Sequence, residues 1–120
     1  MLAKEYLARA SFTAMNDLKW SQTEKAVARK AFNQAVEREL EAIIHKTKQM
    51  ASSIESPSQL WELEDYLSKS RKTLDEKYDY RYSVLPLVFA KLIRQRRLRW
   101  EDLHGLGEDK LRYVRAYVQL

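Results

Sequence analysis

Few side chains in this sequence have the types and spacing that catalysis requires. The two histidines, His45 and His104, lie in different segments, neither at metal-ligand spacing from another ligand, so surface or capping roles are expected. Both glycines stand in Gly105-Leu106-Gly107 with no preceding strand, which excludes a phosphate-binding loop. The chain contains no cysteine and therefore no thiol nucleophile. These features predict a protein that is not an enzyme and needs no metal or cofactor.

A more informative pattern lies on the helix predicted after Pro57. At roughly 100° per residue, Trp61 falls away from the leucine stripe of this helix, on a face that otherwise carries charge. The charged residues near it include Glu64, Asp65 and Arg71. Tryptophan with arginine and a carboxylate is typical of a protein-binding hot spot. The alternative is that Trp61 covers the edge of an apolar core while the charges are merely solvated, and the pattern leaves both open.

A second charged feature is the segment from Lys91 to Trp100, which has five basic residues and no acidic one. The net charge is +5, and residues 91–120 account for +4 of it, with eight basic and four acidic side chains. Such a segment could neutralise nucleic-acid phosphates, but nucleic-acid binders usually carry more charge than this chain, which argues against nucleic acid as the partner. A contact with an acidic protein surface and a solvated helix end are the other interpretations.

The elements that position these residues are predicted to be helices. Only four residues in 120 are proline or glycine, which excludes the frequent turns of sandwiches and barrels. Ser21-Gln22-Thr23-Glu24 forms a capping box, and no helix breaker follows before Pro57. Apolar residues then recur every three or four positions over about 30 residues. A monomer of this size cannot easily cover so long a stripe, so a homodimer is expected.

The second helix begins at Ser56-Pro57-Ser58-Gln59 and should run to about Asp79 or Arg81, antiparallel to the first. A third, mostly buried helix should be capped by Ser83. A short helical turn at 100–104 and a last helix at about 109–118 should follow. The expected dimer-interface residues are Phe32, Val36, Leu40, Leu60, Leu63 and Leu67.

The predicted fold class is thus all-α, with a long antiparallel helical hairpin in a homodimer and one domain overall. A short helical arm is expected within residues 1–19. No apolar run approaches the ~20 residues of a membrane span.

Several motifs occur in an order and spacing that resemble the cyanobacterial fluorescence recovery protein family. They include Trp20-Ser21-Gln22, Arg38-Glu39-Leu40, Leu60-Trp61-Glu62-Leu63-Glu64-Asp65-Tyr66-Leu67-Ser68, Arg71, Asp75, Lys77-Tyr78-Asp79, Arg81, Ser83-Val84 and Val88-Phe89-Ala90. The resemblance extends from Trp20 to about Lys110 without an evident gap. It is densest between Leu60 and Ala90, where aromatic, acidic and basic residues all match.

The resemblance implies a non-enzymatic regulator of photoprotection in the cytoplasm, near the thylakoid-associated phycobilisome. Such proteins are all-α homodimers with a long antiparallel helical hairpin stalk and a small helical head. By this resemblance residues 1–20 are an N-terminal extension, 21–82 the stalk and dimerisation region, and 83–120 the head. These proteins bind the C-terminal domain of the red, active orange carotenoid protein. They accelerate its return to the orange form, which restores phycobilisome fluorescence. The same resemblance assigns partner binding to Trp61, Asp65 and Arg71, and a dimer contact to Leu60.

Glu64 and the head residues Leu87 and Phe89 complete the expected partner-binding set. The family commonly has histidine where this chain has Glu64 and phenylalanine where it has Leu87, after an apolar residue rather than Pro86. Near Tyr113 it has a lysine. These departures keep open a homodimeric adaptor of the same fold with another protein partner.

Overall fold

The computed structural model describes residues 15–120. From Gln22 onward its regular elements are helix α1 (Gln22–Ser52), α2 (Pro57–Lys77), α3 (Leu85–Arg94), a 3-10 turn (Trp100–Leu103) and α4 (Glu108–Val118). No strand occurs in the described range, and the all-α prediction is confirmed. No described helix is long and apolar enough to cross a bilayer. The predicted N-terminal helical arm falls largely on residues 1–14, outside the described residues.

Helix α1 begins at the predicted capping box. The Ser21 hydroxyl accepts from the Glu24 backbone N–H at 3.1 Å, and the Glu24 carboxylate accepts from the Ser21 N–H at 3.0 Å. Both bonds satisfy backbone groups that the first helical turn would otherwise leave unpaired. The helix has 31 residues, close to the predicted length and equivalent to about 46 Å at 1.5 Å per residue.

Helix α2 also begins as predicted. The Ser56 N–H donates to Gln59 Oε1 at 3.1 Å, and Pro57 occupies the first turn, where no amide donor is needed. The helix ends at Lys77, two to four residues before the predicted end, because Tyr78 already has a non-helical backbone with ψ of 75°.

The two long helices form the predicted antiparallel hairpin. Glu39 of α1 pairs with Lys77 at the end of α2, at 2.5 Å. Lys46, further along α1, lies instead over the ring of Tyr66, earlier in α2, at 4.9 Å. Residues further along α1 therefore contact residues earlier in α2, as in an antiparallel pair. The part of the hairpin between Glu39 and Lys77 is called the stalk below, a shorter range than the 21–82 expected from the sequence.

The head core is built around α3, where six of ten residues are buried, against four of eleven in α4 and none in α2. The predicted burial of this helix is confirmed. The core cluster comprises Ala28, Ala31, Phe32, Ala35, Leu85, Val88, Phe89, Ala90, Leu92, Leu98, Leu103, Leu106 and Val114. Helix α1 thus contributes its first half to the head core and its second half to the stalk.

The start of α3 corrects one prediction, because its N-cap is Val84 rather than Ser83. The backbone N–H groups of Val84 and Leu85 both donate to the carbonyl of Arg81, at 2.9 and 3.0 Å. A backbone turn therefore supplies the acceptor that a serine hydroxyl would otherwise provide.

An aromatic strap, residues 78–82, connects the stalk to the head. Its alternate tyrosines lie along α1, with Tyr78 and Tyr80 edge-on to Phe32 at centroid distances of 5.5 and 4.9 Å. Tyr82 lies 5.2 Å from the ring of Trp20. The period of two is that of an extended chain, which allows three rings to face the same helix.

Glu39 connects the strap, the stalk and the head, and Glu39 with its hydrogen-bonded and charged partners is called the joint. Its Oε1 accepts from the Tyr78 hydroxyl at 2.9 Å as well as from Lys77, and Arg97 Nε lies 3.3 Å away. Burial opposes ionisation, but these partners outweigh it and lower the pKa of Glu39. One negative charge therefore holds the end of α2, the strap and the loop after α3 against α1.

A second carboxylate pairs with a buried lysine and joins α1 to α4; Glu24 and Lys110 are together called the latch. Lys110 Nζ lies 3.0 Å from Glu24 Oε1, and the Gly107 N–H donates to Oε2 at 2.7 Å. The Lys110 side chain is only 3% exposed, with Nζ 5.3 Å from the ring centroid of Trp20. Burial would raise the pKa of Glu24, but hydrogen bonds from the Ser21 and Gly107 amides and from Lys110 lower it to about 2.

Candidate partner-binding surface

Helix α2 exposes apolar side chains that folded monomers usually bury. None of its residues is buried, and Leu60 and Trp61 are 47% and 64% exposed. Leu67, two turns beyond Leu60, is exposed as well. A cluster of large apolar side chains at the surface marks an interaction site.

The neighbouring face of α1 continues this apolar surface. Leu40 and Ile44, one turn apart, are both exposed. Leu40 and Leu67 line one groove of about 390 Å³ between the two helices of the stalk. Leu40, Ile44, Leu60 and Leu67 are called the apolar stripe.

Of the expected dimer residues, Leu40, Leu60 and Leu67 thus remain accessible. Leu63 and Val36 are half-buried, and Val36 packs against the head core. The structure corrects the expectation for Phe32, which is buried between α1 and the strap of its own chain. Its helical spacing indicated burial correctly but could not tell which surface covers it.

The charged face of α2 carries the predicted hot-spot residues on the solvent side. Asp65 pairs with Lys69 one turn later at 2.8 Å, and this hydrogen bond raises the pKa of Lys69. The Ser68 hydroxyl donates to Glu64 at 3.2 Å. Both contacts are exposed pairs of the kind that contribute little to stability, so these side chains can exchange them for contacts with a partner.

Arg71 lies where the charged face meets the apolar stripe. It lines the same groove as Leu40 and Leu67 and is itself exposed. Its guanidinium forms no ion pair within the described part of the chain, so the structure of the monomer gives it no role. Trp61, Asp65 and Arg71 therefore offer an aromatic ring, a carboxylate and a guanidinium on one exposed helix.

The head residues of the predicted site divide into two cases. Leu87 is half-buried and retains some surface. Phe89 has an exposure of 0% and belongs to the core. The structure therefore corrects the inclusion of Phe89 among partner-binding residues, because no partner can contact a ring that its own chain encloses.

The described residues can also be searched for a metal site. No group of three or more acidic, histidine or cysteine side chains within residues 15–120 could hold a metal ion. His45 and His104 are both exposed and far apart in the sequence. Sequence reasoning did not find the latch. Its two residues lie 86 positions apart in the chain, and no local spacing indicates such a pair.

Comparisons with known proteins match most of the described residues. The family model of the photoprotection regulator fluorescence recovery protein matches residues 20–118. The fluorescence recovery protein of Synechocystis sp. PCC 6803 is 38% identical over 101 residues, which cover 84% of this chain and 93% of that protein.

Solved structures agree in fold and extent. The structure of the Fremyella diplosiphon fluorescence recovery protein superposes with a TM-score of 0.81 at 41% identity, covering 85% of this chain and 100% of that chain. The structure of the Synechocystis protein gives the same TM-score and coverage at 37% identity. The matching fold includes both the hairpin that carries Trp61 and the head.

Proposed function

Since this chain belongs to the fluorescence recovery protein family of photoprotection regulators, we propose that it acts on the orange carotenoid protein. It binds the C-terminal domain of the red, active form, accelerates the return to the orange form and restores phycobilisome fluorescence. It works in the cytoplasm, near the phycobilisome, and breaks no covalent bond.

One observation carries this proposal beyond the family assignment. Trp61 is 64% exposed on a helix that also presents Asp65 and Arg71 to solvent. Exposing a tryptophan costs hydrophobic stabilisation, and aromatic residues beside arginine are typical energetic centres of protein interfaces. The α2 surface therefore supports a protein partner rather than a small-molecule substrate.

The acceleration follows from differential binding. A protein that bound the open and closing forms of its partner equally would not change the rate of closure. The α2 surface must therefore hold the closing transition state more tightly than the open red form. If one dimer contacts both domains of the carotenoid protein, it also raises their effective concentration.

The apolar stripe supports a homodimer in which a second copy covers the stalk. Changing Leu60 to glutamate places a charge in that interface, and desolvating an unpaired carboxylate is costly. We expect the dimer dissociation constant to rise at least ~100-fold, about 2.7 kcal/mol. Sedimentation velocity over a range of concentrations measures it.

The control for this variant is Ser58→Glu, which adds the same charge near the exposed start of the same helix. It should remain as dimeric as the parent chain. A Leu60→Glu protein that stays a folded dimer would show that the stripe is not the interface.

The function itself is tested by mixing. An orange carotenoid protein is photoconverted to red, this chain is added in the dark, and the decay of red absorbance is followed. A faster decay than the carotenoid protein shows alone is expected. No acceleration with carotenoid proteins from several sources would contradict the proposal. The alternative would then be a homodimeric adaptor of the same fold with another protein partner, an alternative that Glu64 keeps open.

Position 64 allows a finer prediction within this function. Glu64 adds a negative charge next to Asp65, at a position where the family commonly has histidine. If the charge weakens the contact, Glu64→His should raise the recovery rate roughly fivefold, about 1 kcal/mol. The dark recovery rate measures it, and Glu64→Gln separates loss of charge from gain of an imidazole. An unchanged rate in both variants would show that the position is neutral.

A further inference from the structure

The end of α3 carries cations that the chain itself does not use. Lys91, Arg94 and Arg96 are exposed, and none forms an ion pair with a described residue. Arg97, by contrast, is placed beside Glu39 in the joint. Lys91, Arg94 and Arg96 are called the basic end.

The basic end borders an open groove of about 580 Å³ where α2 and α3 both terminate. Its lining consists of Thr73, Glu76, Lys77, Lys91, Arg94 and Gln95. The charge of Lys77 is already neutralised by Glu39 at 2.5 Å. The groove therefore presents two free cations and one free carboxylate, with a hydroxyl and an amide as neutral hydrogen-bonding groups.

Arg96 has an unfavourable backbone for its residue type. Its φ is 60°, the left-handed conformation in which glycine is preferred. The Arg97 N–H donates to the Leu92 carbonyl at 2.8 Å and the Arg96 N–H to the Ile93 carbonyl at 3.0 Å. These two bonds form a Schellman motif, which places Arg96 at the position that helices most often fill with glycine.

The guanidinium of Arg96 does not compensate for this strain within the described structure. It is exposed and makes no hydrogen bond or ion pair there. The chain uses glycine at Gly105, where φ is 106°, but has arginine at 96. The end of α3 requires a left-handed backbone at this position but not an arginine, so arginine in place of glycine points to a function of the side chain.

We propose that the basic end and its groove are a docking site for an acidic segment of a partner protein, in which Lys91 and Arg94 line the groove and Arg96, next in the chain to the lining residue Gln95, adds a third cation at its edge. Carboxylates complement the three free cations, while Thr73 and Gln95 can bond to the polypeptide backbone. Three free cations are few for nucleic acid, whereas a short acidic segment can be neutralised by three cations if its carboxylates avoid Glu76. Trp61, Asp65 and Arg71 do not line this groove, and the proposal does not depend on which protein binds them.

The test uses the full chain and a fluorescein-labelled octaglutamate peptide at low salt. Arg96→Gly should weaken peptide binding at least ~3-fold in fluorescence anisotropy, while the melting temperature rises by about 2–5 °C because the strain is relieved. Arg96→Lys should bind within ~2-fold of the parent. Arg112→Gln removes an exposed cation elsewhere and should change neither quantity.

Three results would overturn the proposal. The first is that the parent chain does not bind the peptide. The second is that Arg96→Gly and Arg112→Gln weaken binding equally, which would reveal unspecific charge attraction. The third is that a 20-base-pair DNA duplex binds more tightly than the peptide and that its affinity falls in Arg96→Gly. That result would assign the basic end to nucleic acid. None of these results depends on the carotenoid protein, so the proposed function stands or fails separately.

Discussion

Replacing Lys110 with methionine is expected to destabilise the protein by about 3 kcal/mol, because the change removes the cation of a buried pair. Methionine has a similar length, so it leaves no large cavity. The Glu24 carboxylate then keeps only its bonds from the Ser21 and Gly107 amides. Urea denaturation followed by circular dichroism measures the loss.

The double variant Glu24→Gln with Lys110→Met is the matched control. It removes both charges and should recover part of the lost stability, since the amide oxygen can still accept from the Gly107 N–H while the amide nitrogen cannot accept from the Ser21 N–H. A Lys110→Met protein as stable as the parent would show that the latch contributes nothing.

The latch also determines acid stability. The pKa of Glu24 is about 2 in the folded protein against 4.5 ordinarily, so the folded state favours the ionised form. Its contribution is complete above pH 4.5 and is lost as the pH falls from 4.5 to 2. The difference corresponds to about 3 kcal/mol, and the double variant should lack this part of the pH dependence.

Replacing Arg71 with leucine is expected to weaken binding of the red carotenoid protein by at least ~30-fold, about 2 kcal/mol, a typical hot-spot loss. The guanidinium is exposed beside the apolar stripe and has no ion pair among the described residues, so its loss should not unfold the chain. The recovery rate as a function of protein concentration measures binding, and sedimentation measures the dimer.

Lys30→Leu is the matched control, because it removes an exposed cation from α1 that likewise forms no ion pair with a described residue. It should leave the recovery rate within ~2-fold of the parent. A monomeric Arg71→Leu protein would show that Arg71 acts in the dimer interface instead. Asp65→Leu should resemble Arg71→Leu, since it sacrifices only an exposed pair with Lys69.

Helix boundaries were predictable where the signal is local. Ser21 and Glu24, or Ser56 and Gln59, lie three positions apart and form their bonds within a single turn. The prediction failed at Ser83, where the backbone turn from Arg81 replaces the hydroxyl cap. The predicted α2 was also too long. The tyrosines of the strap pack on α1 with a period of two, and this contact cannot be inferred from helical spacing.

The candidate site was predictable in its surface part. The angular separation of Trp61 from the leucine stripe follows from helix geometry alone, and the exposure of Trp61 agrees with it. The basic end was visible as a run of charge. The left-handed backbone of Arg96 was not predictable. It results from the way α3 ends, where the Arg97 and Arg96 N–H groups donate to the Leu92 and Ile93 carbonyls.

The sequence by itself determined the helical class, the hairpin and the face on which Trp61 stands, because capping, proline and periodicity act within a few residues. Only the tertiary structure decided what covers each apolar face. Phe32 and Leu40 share the spacing of one stripe, yet Phe32 is enclosed by the strap of its own chain and Leu40 remains exposed. Periodicity records that a side chain avoids water, but the surface that shields it comes from residues distant in the chain, as does the lysine that neutralises Glu24.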